Sequence, residues 1–267
     1  MFTIKRYAKA ITRRVNNFFS SLVSNFTLFK IDSVYGYQDH PKNVISFCLF
    51  GSNANYLNNV DACLASYKQH FEDWVLRVYA AYDIPADILE KIKRYNCELF
   101  VMQSGGFDFR YTFWRFLVLD DPNVSRALIR DIDSVASDRE KQMTGDWIAS
   151  GKKMHIIRDH PFHTELIMAG MWALETKNIG QNFKSKMLRF TKSNRYAIDQ
   201  EFLKKIYHKH FPDVLVHDVY KRFNQEEPVI IPHNSSGFYV GEISFDHPAK
   251  QAYRDQVKAL YKIDASL

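Results

Sequence analysis

Short apolar runs alternate along the chain with segments whose apolar positions recur at spacings of three and four. The apolar runs predict buried strands at residues 44–50, 74–79, 98–102, 127–130, 154–157 and 214–217. The spaced patterns predict helices between the strands, for example at residues 57–71 and 198–208. Strands that alternate with helices are typical of an α/β protein with a mixed, mostly parallel sheet flanked by helices.

Two further helices have boundary signals. Ser137-Asp138-Arg139-Glu140 matches a capping box, so a helix is predicted to begin there and to end near Gly151. A break at Ser104-Gly105-Gly106 precedes an aromatic-rich segment at residues 112–117, which predicts another helix.

The patterns divide the chain into residues 1–40, 41–247 and 248–267. The first segment alternates basic and apolar residues, with no acidic residue before Asp32. This favours a basic amphipathic helix at a membrane surface, although a helix packed on the domain or a disordered arm would show the same pattern. We expect residues 41–247 to form one catalytic domain and residues 248–267 a terminal helix.

The composition indicates which kinds of partner the protein could bind and in which cellular compartment it would be found. The three cysteines form no CxxC pair, which argues against a disulfide framework or a zinc site and is typical of a reducing cytosol. No apolar stretch is long enough to span a membrane. The net charge of +6 suits polyanionic partners such as nucleic acid, anionic lipid or diphosphate-linked substrates. We therefore expect a cytoplasmic protein, with peripheral membrane contact through its N-terminal segment.

Two acidic residues, Asp131 and Asp133, directly follow an apolar strand. On an extended stretch their side chains point the same way, so together they can hold one divalent cation through oxygen ligands. Ligands of open α/β sheets bind at the carboxyl ends of the strands, where this pair is predicted to lie. A solvated turn with helix caps is the alternative interpretation. Arg158-Asp159-His160-Pro161 is a second candidate site after a strand, with a salt-bridged loop as its alternative.

The order of several segments resembles the core of GT-A glycosyltransferases, with their Rossmann-like fold, and glycosyltransferase family 8 in particular. Phe113-Trp114-Arg115-Phe116 and an apolar strand precede Asp131-Ile132-Asp133. Residues 166–172 are similar to the Asn-Ala-Gly segment of that family, and residues 198–203 to its Asp-Gln-Asp-x-Leu segment.

A looser group of bacterial and viral polysaccharide glycosyltransferases is similar to this chain at Arg130-Asp131-Ile132-Asp133-Ser134, at residues 158–161 and at Asp199-Gln200. The chain departs from family 8 at Met168, which replaces the Asn, and at Glu201, which replaces the second Asp. The late Lys-Pro-Trp of the family is absent. The identity of the donor therefore does not transfer.

The resemblance implies a set of roles. Mn2+ or Mg2+ would be bound by Asp131, Asp133 and a late histidine, with His217 as first choice and His233 as second. A satisfied strand-end histidine is the alternative for His217. The implied donor-binding residues are Phe50, Tyr56, Arg115, Arg130, Asp131, Ile132, Asp133, Arg158, Ala169 and Gly170. The implied catalytic residues are Asp159, Asp199 and Gln200.

Asp199 has two candidate roles. In an inverting enzyme it would deprotonate the acceptor hydroxyl, and in a retaining enzyme it would steady the donor sugar. The implied function is metal-dependent transfer of a sugar from a nucleotide-sugar donor, typically UDP-linked. The acceptor would be a hydroxyl of a surface polysaccharide or lipid-linked glycan such as capsule or lipopolysaccharide, and family 8 favours retention.

Two other functions compete with this prediction. A metal-dependent nucleotidyltransferase or phosphatase usually has a Gly-rich phosphate loop near the first strand or further carboxylates, and Gly51-Ser52-Asn53 is not such a loop. A nucleic-acid-binding protein would suit the charge, but the basic residues are dispersed beyond the N-terminal segment and no binding module is recognised. We expect no nucleic-acid partner.

Overall fold

The computed structural model describes residues 27–103, 105–178, 182–233 and 235–261. Most of the predicted N-terminal amphipathic helix falls on residues 1–26, which lie outside the described residues. Among the helices of the described part of the chain, none is long and apolar enough to cross a membrane.

Eight strands of the described chain form one sheet. They are β1 Ile31–Tyr35, β2 Lys42–Leu49, β3 Val75–Ala81, β4 Glu98–Met102, β5 Val124–Arg130, β6 Met154–Arg158, β7 Met171–Glu175 and β8 Val214–Asp218. Their order across the sheet is β1-β4-β3-β2-β5-β7-β6-β8.

The sheet is mixed and mostly parallel. Strands β4, β3, β2 and β5 are parallel neighbours, and β6 is parallel to β8. Strand β1 is antiparallel on the outside of β4, and β7 is antiparallel between β5 and β6. This is the α/β, Rossmann-like architecture that the alternating pattern predicts, and the prediction is confirmed.

Helices connect the strands and cover the sheet. They are α1 Ala54–His70, α2 Ala86–Arg94, α3 Asp138–Ser150, α4 Phe183–Met187, α5 Ile198–His210 and α6 Lys250–Tyr261, with 3-10 helices at Phe109–Asp120 and Thr176–Asn178. The Ser137 hydroxyl accepts a hydrogen bond from the Glu140 amide, and α3 ends at Gly151 with a φ of 66°. The predicted N-cap and left-handed stop are thus present, but the Glu140 carboxylate, which would complete a capping box, accepts from Arg130 and Tyr67 instead. Helix α6 lies within the predicted C-terminal helix.

Three elements differ from the prediction. Strand β1 lies inside the segment predicted as an N-terminal helix, and four of its five residues are exposed because it is an edge strand. Strand β7 was not predicted, since its short apolar run follows Ala169-Gly170 without a turn signal. The helix predicted at residues 112–117 is part of the long 3-10 helix, whose aromatic residues have low α-helix propensity and are held by burial.

The core positions the carboxyl ends of the central strands. Strands β2 and β5 are hydrogen-bonded neighbours and run parallel, so residues 50–53 and 131–133 emerge at the same edge of the sheet. The 3-10 helix packs beside both strands, with Phe113, Trp114 and Phe116 fully buried. Polar residues after β2 and β5 therefore meet at one place, where this α/β architecture usually binds ligands.

Candidate active site

A cavity of about 510 Å³ opens at the carboxyl ends of β2 and β5. Ten residues predicted from the sequence line it. They are Phe50, Tyr56, Arg115, Asp131, Ile132, Asp133, Ala169, Gly170, Asp199 and Gln200. Residues from five separate stretches of the chain thus converge on one site.

The backbone of Asp131-Ile132-Asp133 is held by hydrogen bonds from distant residues. The Asn59 amide donates to the carbonyl of Ile132 at 3.1 Å. The Ser244 backbone amide and hydroxyl both donate to the carbonyl of Asp133, at 2.8 and 2.7 Å. These bonds fix the loop through its carbonyls and leave the two carboxylates facing the cavity. Sequence reasoning missed Asn59 and Ser244, because nothing local marks a partner that lies 111 residues away.

Asp133 lies in an environment that disfavours its charge. Burial, and next the neighbouring Asp131 carboxylate, raise the pKa of Asp133 to about 7, against the opposing effects of Arg115 and of a hydrogen bond from the Tyr56 hydroxyl. Two carboxylates whose mutual repulsion is incompletely compensated are a suitable oxygen donor set for a hard divalent cation. The described residues contain no group of three or more His, Cys, Asp or Glu side chains placed to hold a metal.

Arg115 joins the two acidic parts of the site. Its guanidinium is buried and donates through Nη1 to the Asp131 carboxylate and through Nη2 to Oδ2 of Asp199, the latter at 2.9 Å. The other oxygen of Asp199 accepts from the Gln200 amide at 3.0 Å. Arg115 was predicted to contact the donor. It does line the cavity, but the hydrogen bonds of its two Nη atoms go to the site carboxylates.

Gly170 lies directly against Asp131. A Cβ atom added to Gly170 would overlap the Asp131 carboxylate, so only glycine leaves room for this side chain orientation. Ala169 and Met168 line the same wall of the cavity. The segment that resembles Asn-Ala-Gly thus has a steric function that is independent of the missing asparagine.

Three residues predicted for the site lie outside the cavity lining and are paired with other residues of the protein. Arg130 is buried and donates to Oε1 of Glu140 at 2.5 Å. Arg158 is buried and donates to Oδ2 of Asp218 at 2.6 Å and to the Glu226 carboxylate. Asp159 accepts two bonds of 2.7 Å from Arg139. The salt-bridged loop, which was the alternative for residues 158–161, describes the contacts of Arg158 and Asp159.

The two candidate histidines also lie outside the cavity lining. Nδ1 of His217 is 2.8 Å from Nε2 of His155, and its Nε2 is 3.5 Å from the Asp146 carboxylate. Nε2 of His233 is 3.1 Å from Oδ1 of Asp159. Burial lowers the pKa of both His155 and His217. His217 is therefore a buried strand-end histidine that contacts His155, and neither histidine lies in the cavity lining with Asp131 and Asp133.

Aromatic residues missed by the sequence reasoning line the mouth of the cavity. Phe107, Phe109 and Tyr196 belong to the lining, and the Phe107 and Tyr196 side chains are largely exposed. Their positions beside Gly105-Gly106 and just before Asp199 were a usable signal, since aromatic residues in loops next to a predicted site are candidates for ligand contact.

No protein-family model matches this chain, and no curated protein matches it. Among solved structures, residues 1–349 of TarS from S. aureus are similar at 14% identity and a TM-score of 0.46, covering 67% of this chain and 58% of that one. The mannosyltransferase PcManGT from Pyrobaculum calidifontis, in complex with GDP-Man and Mn2+, is 12% identical with a TM-score of 0.43, covering 80% and 69%.

A cytidylyltransferase from Leptospira borgpetersenii is 10% identical with a TM-score of 0.44, covering 84% of this chain and 95% of that one. This chain thus spans little more than half of the TarS fragment, and the similar structures include more than one class of transferase. Likeness at these identities and TM-scores says nothing about the activity of this chain, which is inferred below from the site.

Proposed function

We propose that this protein is a glycosyltransferase that moves a sugar from a nucleotide-sugar donor to a saccharide hydroxyl. The observation that carries the proposal is the convergence of Asp131, Asp133 and Asp199 on one cavity at the carboxyl ends of β2 and β5. A volume of about 510 Å³ lies within the range of small-molecule sites. The order of motifs that resembles GT-A glycosyltransferases assigns Asp131 and Asp133 to the donor and Asp199 to catalysis.

A divalent cation, Mn2+ or Mg2+, would be held by Asp131 and Asp133. The fit rests on an all-oxygen donor set and on the raised pKa of Asp133, which reflects burial and then repulsion by Asp131, both of which a bound cation would offset. Cations of this kind are often bound by one or two carboxylates, with substrate phosphates completing the shell. When bound, the cation would neutralise charge on the departing diphosphate.

Arg115 and Asp199 would position the donor and stabilise the charge that develops on its sugar. Arg115 pairs with both Asp131 and Asp199. It would thereby fix the distance between the carboxylate at the donor diphosphate and the carboxylate at the donor sugar. Both oxygens of Asp199 already accept a hydrogen bond, from Arg115 and from the Gln200 amide. A carboxylate held in this way supports a role as a fixed negative charge beside the donor sugar, where positive charge develops, and so supports transfer with retention.

The other donor contacts follow the cavity lining. Phe50 and Tyr56 would border the nucleotide base of a UDP-type donor, and Ala169 and Gly170 would face its sugar. The acceptor would be a growing surface polysaccharide or a lipid-linked glycan. The basic N-terminal segment would bring the enzyme to a cytoplasmic membrane face where such acceptors are found. These parts of the proposal rest on the resemblance and on the charge pattern.

A screen of UDP-, GDP- and CMP-linked sugars tests the proposal. We expect at least one of them to be hydrolysed or transferred in the presence of Mn2+, with release of the nucleotide, and EDTA to abolish turnover. Asp133→Asn should reduce turnover by at least about a hundredfold, as expected when a group that stabilises developing charge is removed. Asp138→Asn is the matched control, because the Asp138 side chain is 98% exposed and lies outside the cavity lining.

Three outcomes would count against the proposal. Full turnover in EDTA would exclude the metal role, and full turnover by Asp133→Asn would exclude the site. Release of pyrophosphate from nucleoside triphosphates, with every nucleotide sugar inert, would identify a nucleotidyltransferase instead. Comparison of the anomeric configuration of donor and product by NMR tests retention.

A further inference from the structure

Three aromatic side chains form a continuous strip along the mouth of the cavity. We call Phe107, Phe109 and Tyr196 the rim strip. The ring centroids of Phe107 and Phe109 are 4.8 Å apart, and those of Phe109 and Tyr196 are 5.7 Å apart, both edge to face. Phe107 is 62% exposed and Tyr196 is 79% exposed, although both line the cavity that contains Asp199.

One end of the strip is anchored on β2. The Phe107 ring packs against Phe50 at a centroid distance of 5.6 Å and also lies over Gly51. Gly51 has a φ of 79°, and a Cβ atom there would be 3.0 Å from the Phe107 ring. A glycine is thus needed both for the backbone turn after β2 and for the close approach of Phe107.

The other end of the strip is anchored on α5. The Asn194 side chain accepts a hydrogen bond of 2.9 Å from the Phe109 amide and so joins the two loops that carry the rings. Ala197 has a φ of 58°, a left-handed conformation that is uncommon for a residue with a Cβ atom. This turn presents Tyr196 outward immediately before α5 places Asp199 in the cavity. Such local strain tends to occur at functional sites.

The chemistry of the strip is that of a stacking platform. Exposed aromatic faces are unfavourable in water, and contiguous apolar surface beside a polar site often marks a ligand contact. One face of a pyranose ring presents C–H groups, while its hydroxyls project from the edge. Such a ring can cover an aromatic surface and still direct a hydroxyl toward carboxylates inside the cavity.

We propose that the rim strip binds the acceptor saccharide by stacking against a pyranose ring. The proposal rests on the proposed function, since it takes Asp131 and Asp133 as the donor end of the same cavity. The strip lies at the exposed mouth, whereas those aspartates lie within. A polysaccharide acceptor must remain connected to its own chain outside the cavity, so its subsite has to be open to solvent.

The test measures saccharide and nucleotide binding separately on the full chain. Saturation-transfer NMR with cellotetraose, maltotetraose, mannotetraose and chitotetraose reports saccharide binding, and calorimetry with UDP and GDP in Mn2+ reports nucleotide binding. We expect wild-type protein to bind at least one tetrasaccharide. Tyr196→Ala and Phe107→Ala should each weaken that binding by about tenfold, the upper range for a lost aromatic contact.

Matched variants separate stacking from other effects. Tyr196→Phe keeps the ring and should bind the saccharide as wild type does. Phe162→Ala removes an aromatic side chain that is also 62% exposed but lies outside the cavity lining, and should change nothing. Circular dichroism melting should be the same for all four variants, because the substituted side chains are largely exposed.

The two proposals can fail independently. Asp133→Asn should lose nucleotide binding and keep saccharide binding. If no tetrasaccharide binds to wild type, or if Tyr196→Ala binds as tightly as wild type, the rim strip is not an acceptor platform. Tyr196→Ala that loses UDP or GDP affinity while keeping saccharide affinity would overturn the acceptor assignment in favour of the nucleotide base. Absence of nucleotide binding to wild type would instead contradict the proposed function.

Discussion

Two arginine–aspartate pairs follow strands of the same sheet, and only one of them opens to the cavity. Arg130-Asp131 ends β5 and Arg158-Asp159 ends β6, with β7 between the two strands. Both arginines are buried and paired with acidic residues of the protein. The aspartates differ. Asp159 is almost fully buried, whereas the Asp131 side chain is 49% exposed and faces the cavity.

The difference lies in how each carboxylate is compensated. Asp159 receives hydrogen bonds from Arg139 and from the Val240 amide, and Nε2 of His233 lies 3.1 Å from its Oδ1. Burial acts to raise the pKa of Asp159, but these partners outweigh it and the pKa is lowered. Around Asp133 the partners do not outweigh burial and Asp131, and the pKa rises to about 7. Charge that the protein leaves uncompensated, rather than charge as such, therefore identifies the ligand site.

The largest expected effect is on the free energy of unfolding when the buried Arg158 is removed from its ion pairs with Asp218 and Glu226. Arg158→Met leaves the buried carboxylates of Asp218 and Glu226 without their main partner, which should lower the free energy of unfolding by about 3–5 kcal/mol in urea denaturation. Arg195→Met, which breaks an exposed pair with Glu201, should cost less than about 1 kcal/mol. Wild-type stability combined with lost nucleotide-sugar turnover in Arg158→Met would restore the donor role that the sequence suggested.

An intermediate effect is expected on turnover when Gly170, which lies against Asp131 in the cavity wall, is replaced. Gly170→Ala introduces a methyl group where the Asp131 carboxylate lies, so Asp131 must move and turnover should fall about tenfold, or about 1.4 kcal/mol. Gly145→Ala is the control, because Gly145 lies in α3 with open space around its Cβ position. That variant should gain about 0.5–1 kcal/mol in stability with unchanged turnover. Equal turnover in both variants would show that the contact with Asp131 has no role in the reaction.

The last expected effect is a difference in pH dependence. The folded pKa of Asp133, about 7, is above its value of about 3.9 in an unfolded chain, so its contribution to stability is present below about pH 4 and is lost as the pH rises to about 7. The Asp133→Asn variant has no carboxyl group to ionise, so it does not show this decrease in stability. In EDTA, its stability relative to wild type should increase by roughly 1–3 kcal/mol between pH 5 and pH 8 in thermal melts.

Asp159→Asn provides the comparison for that measurement. Because the pKa of Asp159 is lowered, its contribution to stability is present above its unfolded pKa and is lost only as the pH falls below that value. The difference between Asp159→Asn and wild type should therefore stay constant from pH 5 to pH 8. If the stability difference between Asp133→Asn and wild type is also constant from pH 5 to pH 8, the unfavourable environment inferred for the Asp133 charge beside Asp131 is contradicted.

Most of the sheet could be predicted because its strands are buried on both faces. Parallel strands covered by helices appear in the sequence as continuous apolar runs, and β2 to β6 and β8 show this pattern. Strand β1 could not be predicted because an exposed edge strand lacks the apolar pattern, and β7 because its short apolar run follows Ala169-Gly170 without a turn signal.

The candidate site could be predicted in its motifs but not in its full composition. Asp131 and Asp133 were identified by their position after a strand, and Arg115 and Asp199 by resemblance, and all four line the cavity. Asn59, Ser244 and the rim strip were missed, because hydrogen bonds and ring contacts between distant segments have no periodic signature.

The sequence by itself determined the alternation of strands and helices, and with it the edge of the sheet at which Asp131 and Asp133 emerge. Tertiary structure decided which of the two arginine–aspartate pairs faces a cavity. The partners of Asp159 include His233 and Val240, and the partner of both Asp131 and Asp199 is Arg115, which lies 16 and 84 residues from them. Electrostatic compensation depends on distance in space, and a linear pattern does not contain that distance for residues so far apart.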